Sequence, residues 1–239
     1  MRLLRGEGPL IRVGHRGAPA LAPENTLPSF EAALAHGVDA IEFDVLDLGT
    51  GPLAVAHSRE EAGPGRPTLE EALDFLAGRD VGLHVDLKLT TRLEEVVDAL
   101  DRHGVAERTV VSSFHLPSLR AVSACAPHVR IGFTYPEDRY GVSKRRALRP
   151  AVRLGTLALR RAVVARVPAM LARAGAEALM LQHAVVSAAT VARAHAAGAA
   201  VWAWTVDDPV ELARLEAVGV DAVITNDPRL FSVVATLPT

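Results

Sequence analysis

A single cysteine, Cys125, stands in 239 residues, so no internal disulfide can form and an oxidising compartment is neither required nor supported. Nowhere do roughly 18 or more apolar residues run uninterrupted, so no spanning helix is expected. The opening Met1–Glu7 lacks the apolar run of a secretory signal. The expected location is therefore cytoplasmic, with peripheral contact at the inner membrane face left open. A net charge of only -2 excludes a generally basic nucleic-acid binder, though not a local basic patch. Low-complexity tracts and short repeats are also absent.

What is present is an alternation. Short β-branched runs exchange with alanine- and leucine-rich amphipathic stretches, the pattern of βα units. The runs are Ile11–His15, Ala40–Val45, Leu53–His57, Gly82–Lys88, Thr109–Phe114, Val129–Tyr135, Ala178–Gln182, Ala200–Val206 and Ala222–Thr225. Between them lie candidate helices such as Leu27–His36, Leu69–Leu76, Leu93–His103, Leu116–Cys125, Ala188–Ala197 and Val210–Val218, several ending at a glycine suited to a left-handed cap. Nine strands are one too many for a barrel. Only Leu46–Pro52 separates the second run from the third, too little for a parallel crossover, so this stretch reads as a hairpin turn. The expectation is one domain over residues 1–239: a TIM-like (β/α)₈ barrel with an antiparallel β-hairpin arm after strand 2. Folding about Thr50–Gly51 pairs residues whose numbers sum to about 101, which sets His57 opposite Asp44.

In such barrels the C-terminal strand ends carry the chemistry. The first strand ends in His15-Arg16-Gly17, and the second carries Glu42 and Asp44 on one face. The arm ends at His57, and the next strand ends His84-Val85-Asp86-Leu87-Lys88. Taken singly, a strand-end His-Arg-Gly is ordinarily a solvated turn, and a Glu/Asp pair is commonly a solvated face. Ile41, Phe43 and Val45, however, must face the outer helices, which turns Glu42 and Asp44 inward. Three inward carboxylates, Glu42, Asp44 and Asp86, would repel one another without a cation between them. Their oxygens suit one divalent cation, Mg²⁺ or Ca²⁺ with Mn²⁺ as a third choice, better than zinc. Arg16 and Lys88 would seek phosphate oxygens, and His15 and His57 would transfer protons near neutral pH. Together these make a phosphodiester site, with a small-molecule diester as partner.

These residues together resemble the glycerophosphodiester phosphodiesterase family. The resemblance rests on His15-Arg16-Gly17, Pro23-Glu24-Asn25-Thr26, Gly37–Val45, Val55-Ala56-His57, Val111–Phe114, Trp204–Pro209 and Gly219–Pro228. It spans nearly the whole chain and is weakest from about 136 to 176. It implies that His15 and His57 are the catalytic acid/base pair. Glu42, Asp44 and Asp86 fall on metal-ligand positions, and Arg16 and Lys88 on phosphate-contacting ones. Glu24 and Asn25 belong to a supporting loop, and Trp204 to the substrate wall. The implied reaction is metal-assisted hydrolysis to sn-glycerol 3-phosphate and an alcohol, in some members through a cyclic phosphate.

The chain departs from the family pattern in places. Asp86 stands where glutamate is usual, His84 where a small polar residue is common, and Ser58 where aspartate usually follows the arm histidine. His84 reads as a group behind the ligands or as barrel filling. Only nine residues separate His57 from Pro67, where typical members insert several dozen. That deletion is similar to the compact phospholipase D-type toxins, which lack a clear Pro-Glu-Asn-Thr element. A lysophospholipase D-like enzyme acting on membrane-derived lysophospholipids is therefore the alternative. A non-catalytic lipid-headgroup binder would be expected to lose one of His15, His57, Glu42 or Asp44, and all four are present.

Residues 139–173 contain ten Lys/Arg and no acid, with leucines and valines interleaved. The plain reading is the barrel's sixth helix with an arginine-rich outer face; the other is a basic amphipathic helix at an anionic membrane surface. Of the remaining histidines, His36, His103 and His195 sit near helix C-termini for reasons unrelated to catalysis. His115 and His183 lie just past strand ends.

Overall fold

The computed structural model describes residues 1–137 and 149–234. Strands β1 (Ile11–Gly14), β2 (Ala40–Leu46), β3 (Ala54–Val55), β4 (Gly82–Leu87), β5 (Thr109–Ser113), β6 (Arg130–Tyr135), β7 (Ala178–Gln182), β8 (Ala200–Trp204) and β9 (Ala222–Thr225) alternate with helices. The helices are α1 (Leu27–Ala35), α2 (Leu69–Ala77), α3 (Leu93–Arg102), α4 (Leu116–Cys125), α5 (Arg149–Ala174), α6 (Ala188–His195), α7 (Pro209–Ala217) and α8 (Leu230–Val234). The sheet runs β1-β9-β8-β7-β6-β5-β4-β2-β3 and closes through a β1–β2 pairing. Eight strands are parallel, and β3 alone returns antiparallel to β2. This is the expected barrel.

The arm differs in detail from the sequence expectation. Val45 pairs with Val55 and Leu46 with Ala54, so paired numbers sum to 100 rather than about 101. The arm is two residues long, and His57 lies beyond its last pair rather than directly across from Asp44. The arm's other edge is tied to the segment before α2: Val55 N–H donates to Pro67 and Ala54 bridges to Thr68, which fixes the arm independently of the turn.

Two cores follow from the period-2 alternation of each strand. Outward residues such as Ile41, Phe43, Leu83, Val85, Leu179 and Val201 pack against the helices. Phe30 of α1 meets Phe43 with ring centroids 5.6 Å apart. Inward residues Val13, Ala40, Val110, Met180, Trp202 and Ile224 fill the barrel, with Leu3 closing the floor. The Trp202 indole donates to the Leu3 carbonyl at 3.0 Å, so the floor leaves no buried donor unpaired there. Gly132 makes room for this filling, since a Cβ at that position would lie 2.5 Å from the Met180 methyl. With the lower barrel filled by apolar side chains, the polar inward residues are confined to its upper, C-terminal end.

Candidate active site

The site begins at the turn after β1. Arg16 and Gly17 both take positive φ, 51° and 87°, folding the chain sharply back over the strand end. A Cβ on Gly17 would lie 2.4 Å from the Ser29 hydroxyl oxygen, so only glycine fits. Ser29 needs that approach because its hydroxyl accepts from Ala18 N–H and donates to the Arg16 carbonyl. The fold-back aims the Arg16 N–H at Glu42, 2.7 Å from Oε2. Asn25, also left-handed at φ 53°, donates its amide to Asp44 Oδ2 at 2.9 Å and accepts from the Asp44 N–H. Glu24 holds the Arg16 guanidinium at 3.0 Å through both carboxylate oxygens. The Pro-Glu-Asn-Thr loop therefore braces β2 and Arg16 without lining the cavity itself.

Register brings the acids together. In the β2–β4 ladder Asp44 pairs with Asp86 and Glu42 with His84. One oxygen from each of Glu42, Asp44 and Asp86 lies within 4.8 Å of the other two, and all three residues are buried. Lys88 bridges the cluster, with Nζ 3.1 Å from Asp44 Oδ1 and in contact with Asp86. Arg16 Nε forms a second ion pair with Asp44 at 3.0 Å. Burial would raise the Asp44 pKa, but Lys88 and Arg16 outweigh it and hold the acid at about 2. The same carboxylates keep Lys88 protonated, raising its pKa against the effect of burial. Glu42 has no such neighbour in contact, so burial and then the charges of Asp44 and Asp86 push its pKa well up. An all-oxygen cluster with one uncompensated carboxylate is a donor set that fits a hard divalent cation.

Behind the ligands lies a polar layer. The Ser112 hydroxyl donates to Asp86 Oδ1 and meets His84 Nε2 at 2.8 Å, while Thr134 reaches the same carboxylate oxygen at 3.3 Å. His84 is thus both of the things its position suggested. It supports Asp86 through Ser112, and it fills the barrel edge-on to Trp202 at 5.6 Å. Burial lowers its pKa to about 4, so it is a neutral group.

The two histidines differ in setting. His15 is held from behind: Nδ1 lies 2.7 Å from Asn226 Oδ1. The Asn226 amide in turn donates to Asp207 at 2.6 Å, and Asp207 also accepts from the Asn226 and Thr225 groups. His15 Nε2 points toward Glu42, 3.9 Å away. His57 sits at the rim with its side chain 41% exposed, 3.8 Å from Glu61. Burial lowers both pKa values, in His57 against the pull of Asp44.

His15, Arg16, Glu42, Asp44, His57, Asp86, Lys88 and Trp204 all line one cavity of about 130 Å³. Asp44 and His57 therefore share a site despite the shifted arm register. Trp204 stands edge-on to Phe114 at 6.1 Å, making an apolar wall to which Met180 and Ile224 contribute. Sequence reasoning assigned no role to Asn226, Asp207, Ser112, Thr134 or Phe114. Asn226, Asp207, Ser112 and Phe114 lie in segments singled out for resemblance, and only the folded contacts reveal what they do. His115 and His183 do not line this cavity; His183 instead pairs with Glu211 at 2.6 Å.

A closed parallel barrel that gathers imidazoles, carboxylates and cations at its C-terminal mouth is the architecture of a hydrolase acting on charged esters. The model of the glycerophosphoryl diester phosphodiesterase family matches residues 15–60 and 55–230. A glycerophosphodiester phosphodiesterase of Caldanaerobacter subterraneus is 26% identical over 252 residues, covering 90% of this chain and 93% of the relative. A Silicibacter pomeroyi crystal structure matches with a TM-score of 0.77 at 23% identity, over 97% of this chain and 95% of that one. An Oleispira antarctica phosphodiesterase, solved with the product sn-glycerol-3-phosphate, matches at 0.73 and 22% identity, over 96% and 97% of the two chains. At these identities the two structures speak to the fold. The chain belongs to the glycerophosphoryl diester phosphodiesterase family, and it is a phosphoric diester hydrolase.

Proposed function

We propose that the protein hydrolyses glycerophosphodiesters to sn-glycerol 3-phosphate and an alcohol, with His15 as general base and His57 as general acid. The observation that carries this reading is the convergence of two imidazoles, three carboxylates and two cations on one cavity. The Oleispira antarctica complex with sn-glycerol-3-phosphate supports the product assignment. Glu42, Asp44 and Asp86 would hold one divalent cation, Mg²⁺ or Ca²⁺, with Mn²⁺ a weaker candidate. Bound there, it would supply Lewis-acid stabilisation of charge on the phosphoryl oxygens.

The roles of the histidines follow from hydrogen-bond bookkeeping. Asp207 is acceptor-only, so Asn226 presents its NH₂ to Asp207 and its carbonyl oxygen to His15. His15 Nδ1 must then carry the proton, leaving the Nε2 lone pair free inside the cavity. That is the tautomer of a base. His57, at the solvent-facing rim, stands where a departing alcohol leaves, and the negative charge of Asp44 helps it keep a proton. Lys88 and Arg16 orient the phosphate, each already fixed by carboxylates.

Phosphorus NMR tests the activity directly. Cation-supplemented protein should convert glycerophosphocholine to sn-glycerol 3-phosphate; no phosphomonoester or cyclic phosphate after long incubation would end the reading. Replacing Asn226 by alanine should lower kcat about 10–100-fold with KM little changed, as for other groups that orient a functional imidazole. The bond from Asn226 raises the His15 pKa, so its loss should also move the acid limb of the kcat/KM profile to lower pH. In the wild type that limb lies below 6.5, because burial lowers His15 from that value.

Cation binding has a pH signature of its own. Glu42 binds its proton more tightly folded than unfolded, so its contribution to stability declines as pH rises above 4.5. A cation that displaces this proton should stabilise the fold more at neutral pH than at about pH 5. At a hundredfold excess over Kd the gain is about 2.7 kcal/mol, or about 5–10 °C in Tm for a chain of this size. Thermal melts with Mg²⁺, Ca²⁺, Mn²⁺ and a chelator measure it; identical melts in all four would refute the site.

A further inference from the structure

Helix α5 is longer than the barrel needs. Its 26 residues span about 39 Å, whereas α1 to α4, α6 and α7 have eight to ten residues each. The C-terminal half packs on the barrel through Val163, Val167, Met170, Leu171 and Ala174. The N-terminal half does not: Leu154 is 71% and Leu157 52% exposed. A groove of about 420 Å³ places Leu157 and Arg160 beside His183, immediately past the end of β7, and beside Glu211 of α7. Leu157 is therefore level with the barrel mouth, and Leu154 stands one helical turn above it.

The other exposed large apolar residues repeat this bias. Among the described residues these are Leu4, Leu21 and Val210. Leu21 lies in the loop after β1, and Val210, 76% exposed, is the second residue of α7. Both connections emerge from strand C-termini, so every one of these residues except Leu4 is on the mouth side. Arg161 shares the outward face of α5 with Leu154 and Leu157, at i+7 and i+4. Arg160, Arg161 and Arg166 make no ion pair among the described residues, and the helix carries no acid. Of the basic run read from the sequence, Arg139, Lys144, Arg145 and Arg146 lie outside the described residues.

We infer that this rim docks on an anionic lipid surface, with leucines entering the interface and arginines facing the headgroups. A monoacyl glycerophosphodiester could then enter the mouth from the bilayer, its phosphate in the cavity and its chain along the Trp204 side. The choice of substrate rests on the function proposed above; the docking does not. Candidate membrane-spanning helices are absent among the described residues, so the contact would be peripheral.

Flotation of the full-length protein with phosphatidylcholine vesicles, with and without phosphatidylglycerol, tests the surface. Binding should require the anionic lipid and weaken with salt. The double variants Leu154→Asp/Leu157→Asp and Arg160→Gln/Arg161→Gln should each lower vesicle partition at least about tenfold. Both should keep wild-type kcat/KM on soluble glycerophosphocholine while losing rate on vesicle-embedded lysophosphatidylcholine. Absent binding to anionic vesicles, or equal binding by the variants, overturns the proposal. So does a wild-type dimer that the leucine variant dissolves without any vesicle binding, which would give this face to a second copy. Vesicle binding together with no turnover of either substrate would support docking and sink the proposed activity instead.

Discussion

Replacing His57 with alanine should lower kcat on glycerophosphocholine by about 10²–10⁴, the range expected when a general acid is removed. The reason lies in the leaving group. An alkoxide leaves poorly unless it is protonated as the bond to phosphorus breaks, and His57 is the imidazole at the solvent rim. A p-nitrophenyl phosphodiester needs no such proton, so on that substrate His57→Ala should retain most of its rate. His15→Ala should be impaired on both, because a nucleophile must lose its proton whichever group departs. The contrast between the two substrates distinguishes base from acid in one set of rates. Equal rescue of both variants, or rescue of His15→Ala alone, would reverse or discard the assignment. Melting temperatures should change little for His57→Ala, since its side chain is 41% exposed and Glu61, its ionic neighbour among the described residues, is 3.8 Å away.

Asp44→Asn should abolish activity and lower stability. Asp44 receives Lys88, Arg16 and the Asn25 amide in a fully buried setting, and among the described residues no other joins all three. Its pKa falls from 3.8 to about 2 on folding, which corresponds to about 2 kcal/mol of stability at neutral pH. That is about 4–8 °C in Tm for a chain of this length. Because the folded pKa is the lower one, this stability is present above 3.8 and is lost as pH falls toward 2. The Tm deficit of Asp44→Asn should therefore be full at pH 7 and narrow on acidification below pH 3.8. A deficit that does not change with pH would place the cost in packing rather than in charge. Lys88 keeps Asp86 and Arg16 keeps Glu24, so the variant should still fold.

Much of this site could be read before any fold was known, and the reason is local. Ile41, Phe43 and Val45 alternate with Glu42 and Asp44, and the pleat sends successive side chains to opposite faces. The outward apolar residues thereby oblige the acids to point into the barrel. The seven-residue spacer Leu46–Pro52 likewise excludes a crossover and demands a hairpin. The exact pairing of that hairpin escaped, because Pro67 and Thr68, which hold the arm's other edge, lie twelve or more residues from the arm residues they meet. A helix was legible in the basic run, and α5 is that helix, but which of its residues pack on the barrel and which stay exposed was not, because that depends on where the helix outruns the barrel.

By itself, then, the amino-acid order determined the barrel, the inward acids and the histidines at the strand ends, since each depends on alternation or spacing between near neighbours. Only the tertiary structure brought Asn226 to His15 Nδ1, across 211 residues of chain. It also decided that Glu42 is the carboxylate left without a cation in contact, and that exposed leucines gather on the mouth side. These are properties of pairs of atoms brought together by closure of the barrel, and no local pattern encodes them.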